Sequence, residues 1–191
     1  VLAYRNKMIL ARFTDATNYL IANNAQGTQA INNVRNNYQY KTGIGINGEQ
    51  ALTKDLGIYG RAFTSDGHTE TMSFTEADNS ISVGMGMNGT RWSRPSDSIG
   101  VSVMQNGLSS YRRAYLQAGG ISYFIGDTPS PYAGPGQTIN YRPERIGEIY
   151  YNALLVKNVL LGVNFQHINN PAYNAARGPV NIASFRIHAE F

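Results

Sequence analysis

Most constraining in this chain is a run of stretches, each about ten residues long, in which apolar and polar side chains alternate. Within Thr42-Gly43-Ile44-Gly45-Ile46-Asn47-Gly48-Glu49 the even positions carry the apolar side chains. In Ile81-Ser82-Val83-Gly84-Met85-Gly86-Met87-Asn88 the odd positions are large and apolar, and the others are small or polar. Ser98 to Val103, Val159 to Gln166 and Phe185 to Phe191 repeat the pattern. A period of two gives a strand one apolar and one polar face. The pattern predicts about eight strands, near 3–13, 38–52, 56–65, 79–90, 98–107, 146–155, 159–169 and 180–191. Their length suits a membrane-crossing strand of roughly 9–11 residues better than a soluble strand of about 5–6.

The connections alternate as well. Thr53-Lys54-Asp55, Arg91 to Asp97 and Val156-Lys157-Asn158 are short, whereas 14–37, 66–78, 108–145 and 170–179 are long. Tight turns at one end and long loops at the other are the signature of an up-and-down barrel. The expected fold is therefore an all-β, antiparallel transmembrane β-barrel. A soluble β-sandwich also alternates, but its outward face is usually charged, and here the polar face is mostly Gly, Ser and Asn. The terminal strand sharpens the reading. Phe185, Ile187, Ala189 and Phe191 point one way, and Arg186, His188 and Glu190 the other. A basic residue at mid-bilayer costs about 2–4 kcal/mol, so the charged set is expected to face a lumen. A final aromatic residue after such a strand is a mark read by the barrel-assembly machinery. Tyr38, Tyr40, Tyr150, Tyr151 and Trp92 lie near predicted strand ends, where amphipathic rings suit the headgroup level.

Composition supports the barrel. Charged residues are 15% of the chain, against about a quarter in soluble domains, yet mean hydropathy is only −0.32. No stretch approaches the roughly 18 apolar residues of a membrane-spanning helix. The absence of cysteine excludes a disulfide framework and thiolate metal sites. The net charge of +4 is dispersed, with Arg112-Arg113 the only adjacent basic pair, so no nucleic-acid stripe is present. Val1-Leu2-Ala3-Tyr4 reads as a mature or internal start, with no secretory signal.

An ordered set of segments resembles the C-terminal half of carbohydrate-selective porins of the OprB family. It runs through Gly43 to Leu52, Asp55 to Ala62, Ser73 to Asp78, Gly89 to Asp97, Asn106 to Ser109 and Leu116 to Gly120. It ends on Asn170 to Val180 and Arg186-Ile187-His188-Ala189-Glu190-Phe191. The resemblance implies a sixteen-stranded outer-membrane barrel that passes sugars by diffusion. About half those strands are expected here, as a single domain over 1–191 that forms the C-terminal half of a larger barrel. A closed eight-stranded barrel has an interior just wide enough for side chains and would not pass sugars. A smaller, plugged structural barrel and a polysaccharide-export accessory stay open as alternatives.

A sugar pore needs hydrogen-bond donors and acceptors, together with aromatic faces for the sugar's C–H surface. Taken strand by strand, the polar face offers Lys41, Asn47 and Glu49, then Tyr59, Arg61 and Phe63, then Asn164 and Gln166, then Arg186, His188 and Glu190. Asn88, Glu148, Tyr150 and Asn152 are further candidates, but phase is open by one residue in 1–13 and 141–155. A slip of one exchanges the two faces. Any of these groups is as well explained by a brace across the wall, Arg186 with Glu190 above all. The 108–145 loop, with Gly119-Gly120, Gly126 and Pro129 to Pro135, is long enough to fold inward as a constriction or to stay outside.

An enzyme is not expected. His68, His167 and His188 are far apart, and no Gly-x-Ser-x-Gly elbow occurs. No metal-ligand spacing and no cofactor are indicated. An anion-specific transporter would need a basic constriction, against which Glu49 and Glu190 count. Expected partners are carbohydrate solutes, outer-membrane lipid and the assembly machinery. A homo-oligomer is compatible with the chain, but no interface is legible in it.

Overall fold

In the computed structural model, described for residues 1–25, 30–71, 76–122 and 139–190, the alternating stretches form one antiparallel sheet. Its strands are β1 (Leu2–Ile9), β2 (Tyr38–Ala51), β3 (Leu56–Ser65), β4 (Asn79–Gly89), β5 (Arg94–Gly107), β6 (Glu144–Val156), β7 (Val159–Asn169) and β8 (Val180–Ala189). Each strand pairs with its neighbours in chain order. The two edges, β1 and β8, do not pair with each other. Three helices fill parts of the long connections: α1 (Phe13–Ala22), α2 (Ile31–Val34) and α3 (Ser110–Gln117). No described helix is long and apolar enough to cross a membrane.

Two sequence boundaries move by four residues, the others by two or fewer. The first strand ends at Ile9 rather than at residue 13, because Leu10, Ala11 and Phe13 turn away to be buried among the loops. The Ala11 N–H is taken by the Glu70 carboxylate at 2.8 Å and the Phe13 N–H by the His68 carbonyl at 2.9 Å. The fifth strand begins at Arg94, and the turn before it shrinks to a single 3-10 turn, Thr90–Trp92, closed by Ser93 in the left-handed region (φ 61°). The segment from Gly126 through Pro135, raised as a constriction, and the terminal Phe191 lie outside the described residues.

Burial is distributed unusually. Among the described residues every buried apolar side chain lies outside the strands: Leu10, Ala11, Phe13, Ala16, Leu20, Ala30, Leu108, Tyr115, Leu116 and Tyr173. The apolar core of the described residues therefore sits at the long-loop end, where α1 packs on α3. The sheet contributes none of its Ile, Val or Phe side chains to it.

An ionic cluster locks this cap to the strand ends. Arg112 of α3 is 2% exposed and pairs with Asp78 at 2.9 Å and Glu76 at 3.3 Å, with its guanidinium over the Phe13 ring. Asp78 also accepts the Ser109 N–H at 2.8 Å. The Ser109 hydroxyl caps α3 by accepting the Arg112 N–H, and it donates to the Gly67 carbonyl at 2.7 Å. Glu70 is held by Arg35, and Tyr115 donates to the Ile121 carbonyl, with burial pushing its phenol up to about 12.

Two consequences are measurable. Arg112→Ala would leave Asp78 buried without a counter-ion, and should lower stability by about 3–5 kcal/mol in denaturant melts. The second concerns Asp66. Partial burial opposes ionisation of its carboxyl, but bonds from the Thr42 and His68 N–H groups and the Thr42 hydroxyl hold it below its ordinary 3.8. A depressed carboxyl stabilises the fold above that ordinary value and loses its contribution as the pH falls through the lower, folded one. Protease cleavage at the long-loop end should therefore rise on acidification below about 3.8, and Asp66→Asn should weaken that acid dependence.

Candidate pore-lining face

The ladder register assigns every strand residue to a face. Across β2 and β3, Asn47 sits opposite Arg61, Glu49 opposite Tyr59 and Gly45 opposite Phe63. Following the pairs onward, Tyr59 meets Gly84, Gly84 meets Ser102, Ser102 meets Glu148 and Glu148 meets Gln166. Tyr150 meets Asn164, Gly162 meets Arg186 and Leu160 meets His188. Lys41, Asn47, Glu49, Tyr59, Arg61, Phe63, Asn164, Gln166, Arg186 and His188 thus share one face, and Glu190 continues its phase beyond the end of β8. The further candidates Asn88, Glu148, Tyr150 and Asn152 join the same face.

Three tyrosines lie flat on this face, each over the glycine directly opposite it. A Cβ added to Gly43 would stand 2.6 Å from the Tyr4 ring, one on Gly84 2.6 Å from Tyr59 and one on Gly100 2.4 Å from Tyr150. The missing side chain makes room for the ring, which covers the bare backbone in return. Phe63 stacks on Tyr4 with centroids 6.5 Å apart. Between Tyr59 and Tyr150 a recess of about 380 Å³ is lined by Gly57, Gly86 and Ser102, with Glu49 on its margin. It combines aromatic walls, a hydroxyl and a carboxylate.

The polar groups partly brace one another. Arg61 Nε donates to Asn47 Oδ1 at 3.3 Å, and its guanidinium lies 5.2 Å from the centre of the Tyr59 ring. Asn164 donates to Glu148, and Asn152 to Ser98 at 3.4 Å. Glu190 contacts His188 at 3.0 Å, not Arg186 as the sequence suggested, because residues two apart on a strand share a face and the imidazole is the nearer group. Lys41 differs from the rest. It is 8% exposed and its Nζ donates to the Thr69 carbonyl at 3.0 Å, so it ties β2 to the loop cap and offers little surface to a solute.

The opposite face is apolar and uncovered. Ile44, Ile46, Ile58, Ile81, Val83, Met85, Val101, Val103, Ile149, Val163, Phe165, Phe185 and Ile187 are all exposed on it, with Phe185 at 76%. Tyr38 and Tyr40 mark its long-loop end. At the other end Trp92 Nε1 donates to the Tyr151 hydroxyl at 3.1 Å, and that hydroxyl donates to the buried Asp97. Tyr150, grouped with these ring residues from sequence, belongs to the polar face instead. Tyr4 and Ser102 are additions that sequence reasoning missed. The signal for Tyr4 was hidden because Arg5 and Lys7, not the apolar residues, flank it on the other face of β1. Among the described residues no group of His, Asp or Glu could hold a metal ion.

Comparison with known proteins agrees with this geometry. No curated protein matches significantly. A solved structure, the high-pH structure of Pseudomonas putida OprB, superposes with a TM-score of 0.64 at 22% identity. The match covers 81% of this chain and 36% of that one, so the chain spans little over a third of its structural neighbour. A family model described as carbohydrate-selective porin, OprB family, matches residues 3–191. With its eight-stranded antiparallel sheet and its segregated polar and apolar faces, the chain belongs to the OprB family of carbohydrate-selective porins.

Proposed function

We propose that the chain forms part of the wall of a water-filled outer-membrane β-barrel through which mono- or oligosaccharides diffuse, without catalysis. The observation that carries this reading is the division of the sheet. One face exposes a continuous field of Ile, Val, Met and Phe, far more than a soluble surface leaves bare. The other presents amides, hydroxyls, dispersed charges and tyrosine rings. Hydrocarbon against the first and water against the second satisfies both.

The free edges of β1 and β8 bear on closure. Unpaired N–H and C=O groups cost several kcal/mol each in hydrocarbon. The sheet as described leaves two edges open, so the proposed barrel is completed by further strands, with this chain as one part of its wall. The lining is proposed to consist of Asn47, Glu49, Tyr59, Arg61, Phe63, Asn164, Gln166, Arg186, His188 and Glu190, with Tyr4, Ser102, Glu148 and Tyr150 added and Lys41 acting as a brace. Arg61 and Glu49 supply donors and acceptors for sugar hydroxyls. Tyr59 and Tyr150 supply ring faces. Such contacts are individually weak, as diffusion requires. The assembly machinery is the proposed reader of the last strand.

Single-channel recording in a planar bilayer tests the pore. Ohmic steps reduced by added disaccharide are expected, whereas a folded but electrically silent protein would favour the plugged structural barrel. Tyr59→Ala and Arg61→Ala should each weaken the sugar block about five- to tenfold, the loss of one ring contact or one charged hydrogen bond, while leaving the open-channel current at least as large. Trp92 is the only tryptophan, so its emission reports the short-turn end. In vesicles it should be quenched by bromines near the lipid glycerol and spared by bromines deep in the chains.

A further inference from the structure

The apolar face is not uniformly neutral. Toward the long-loop end the exposed charges among its described strand residues are Arg5, Lys7 and Arg145, all basic; Arg94, exposed at the short-turn end, is spent on Asp97. The one carboxylate in phase with this face, Asp97, lies at the short-turn end, is 2% exposed and is already paired with Arg94. The sheet's other acidic residues, Glu49, Glu144 and Glu148, are on the polar face. The partners of the three exposed cations carry no charge. Arg5 lies 4.0 Å from the centre of the Tyr40 ring, Lys7 lies 5.2 Å from that of Tyr38, and Arg145 Nε donates to Gln105 Oε1 at 2.9 Å.

Directly below Arg145 the face is hollow. Ile81, Gln105, Arg145 and Asn169 form one cross-strand row, and Val83, Val103, Gly147 and His167 the next. Gly147 leaves a gap in the second row, since a Cβ built there meets nothing within 4 Å. The result is a groove of about 440 Å³ with mostly apolar walls, Arg145 at its long-loop end and His167 beside the Gly147 gap. Toward the short-turn end it leads onto the row Met85, Val101, Ile149 and Phe165.

We infer that this groove binds an acyl chain of a phosphorylated lipid, with the lipid phosphate on Arg145. This rests on the proposed membrane location. A guanidinium without a counter-ion at a bilayer interface attracts a phosphate, to which it can donate two parallel bonds. The basic, acid-free rim is complementary to an anionic lipid surface, to which each basic residue adds roughly 1 kcal/mol, about a fivefold factor. Arg5 and Lys7 extend that rim toward the β1 edge. The apolar hollow below a cation matches the order of groups along a phospholipid: phosphate first, then hydrocarbon.

The test reconstitutes the protein in vesicles of phosphatidylcholine and phosphatidic acid in equal parts, extracts it in mild detergent, and weighs the retained lipids by native mass spectrometry. The wild type should retain phosphatidic acid in preference to phosphatidylcholine. Arg145→Gln keeps the amide-compatible neighbour Gln105 but should cut that preference about fivefold. Gly147→Leu, which has space for its side chain, should fill the groove and lower retention of both lipids. Protease protection in pure phosphatidylcholine vesicles reports insertion separately. A wild type that inserts but shows no preference, or variants that retain lipid as the wild type does, would overturn the lipid site and leave the membrane reading standing. A wild type that fails to insert would overturn both.

Discussion

A sheet whose apolar side chains have no protein partner has to find another apolar phase. That constraint governs the rest of this molecule. In a soluble sandwich the Ile, Val and Phe of eight strands would meet a second layer and form the core. Here, among the described residues, the buried apolar side chains are confined to the long-loop cap, and the sheet's own apolar field stays exposed. The strands therefore owe their order to the continuous ladder and to the medium proposed around them, while the cap owes its order to ordinary packing of Phe13, Leu20, Tyr115 and Leu116.

The polar face is organised by economy of space. Tyr4, Tyr59 and Tyr150 lie across Gly43, Gly84 and Gly100, which keeps large rings flat against the wall and leaves the volume above the sheet open. A pore with rings standing upright would be narrower. Charge is dispersed in the same spirit: Arg61 is braced by Asn47, Glu148 by Asn164 and Glu190 by His188. In the proposed pore a neutral solute rich in hydroxyls would meet both signs of charge without a strong net field. The ionic cluster of Arg112, Asp78 and Glu76 stands apart from this surface. It serves the cap, where a buried pair must be complete or become a liability.

Much of the fold is legible in the residue order. Alternation in 38–52, 79–90 and 159–169 placed three strands with errors of at most a residue or so, and the alternation of short and long connections predicted the chain-order pairing that the ladder displays. The candidate lining residues fell on one face because period two is a property of the extended backbone. The weakest point was the first strand. Its tail, Leu10 to Phe13, is apolar enough to continue the pattern, but those side chains are recruited by the loop core. Its phase also runs against intuition, since Arg5 and Lys7 lie on the apolar face, stabilised by tyrosine rings. Only pairing with β2 decides this.

The residue order by itself determined the strands, their up-and-down order and the sidedness of most side chains, because these follow from local backbone geometry and loop length. The tertiary structure decided what depends on contacts remote in sequence. These are the burial of Lys41 under Thr69, the closing of the loop cap by Arg112 on Asp78, the tyrosines laid over glycines of neighbouring strands, and the groove that Gly147 leaves beneath Arg145. Each joins residues from different strands or loops at a register that no local pattern encodes, and register exists only once the strands are paired.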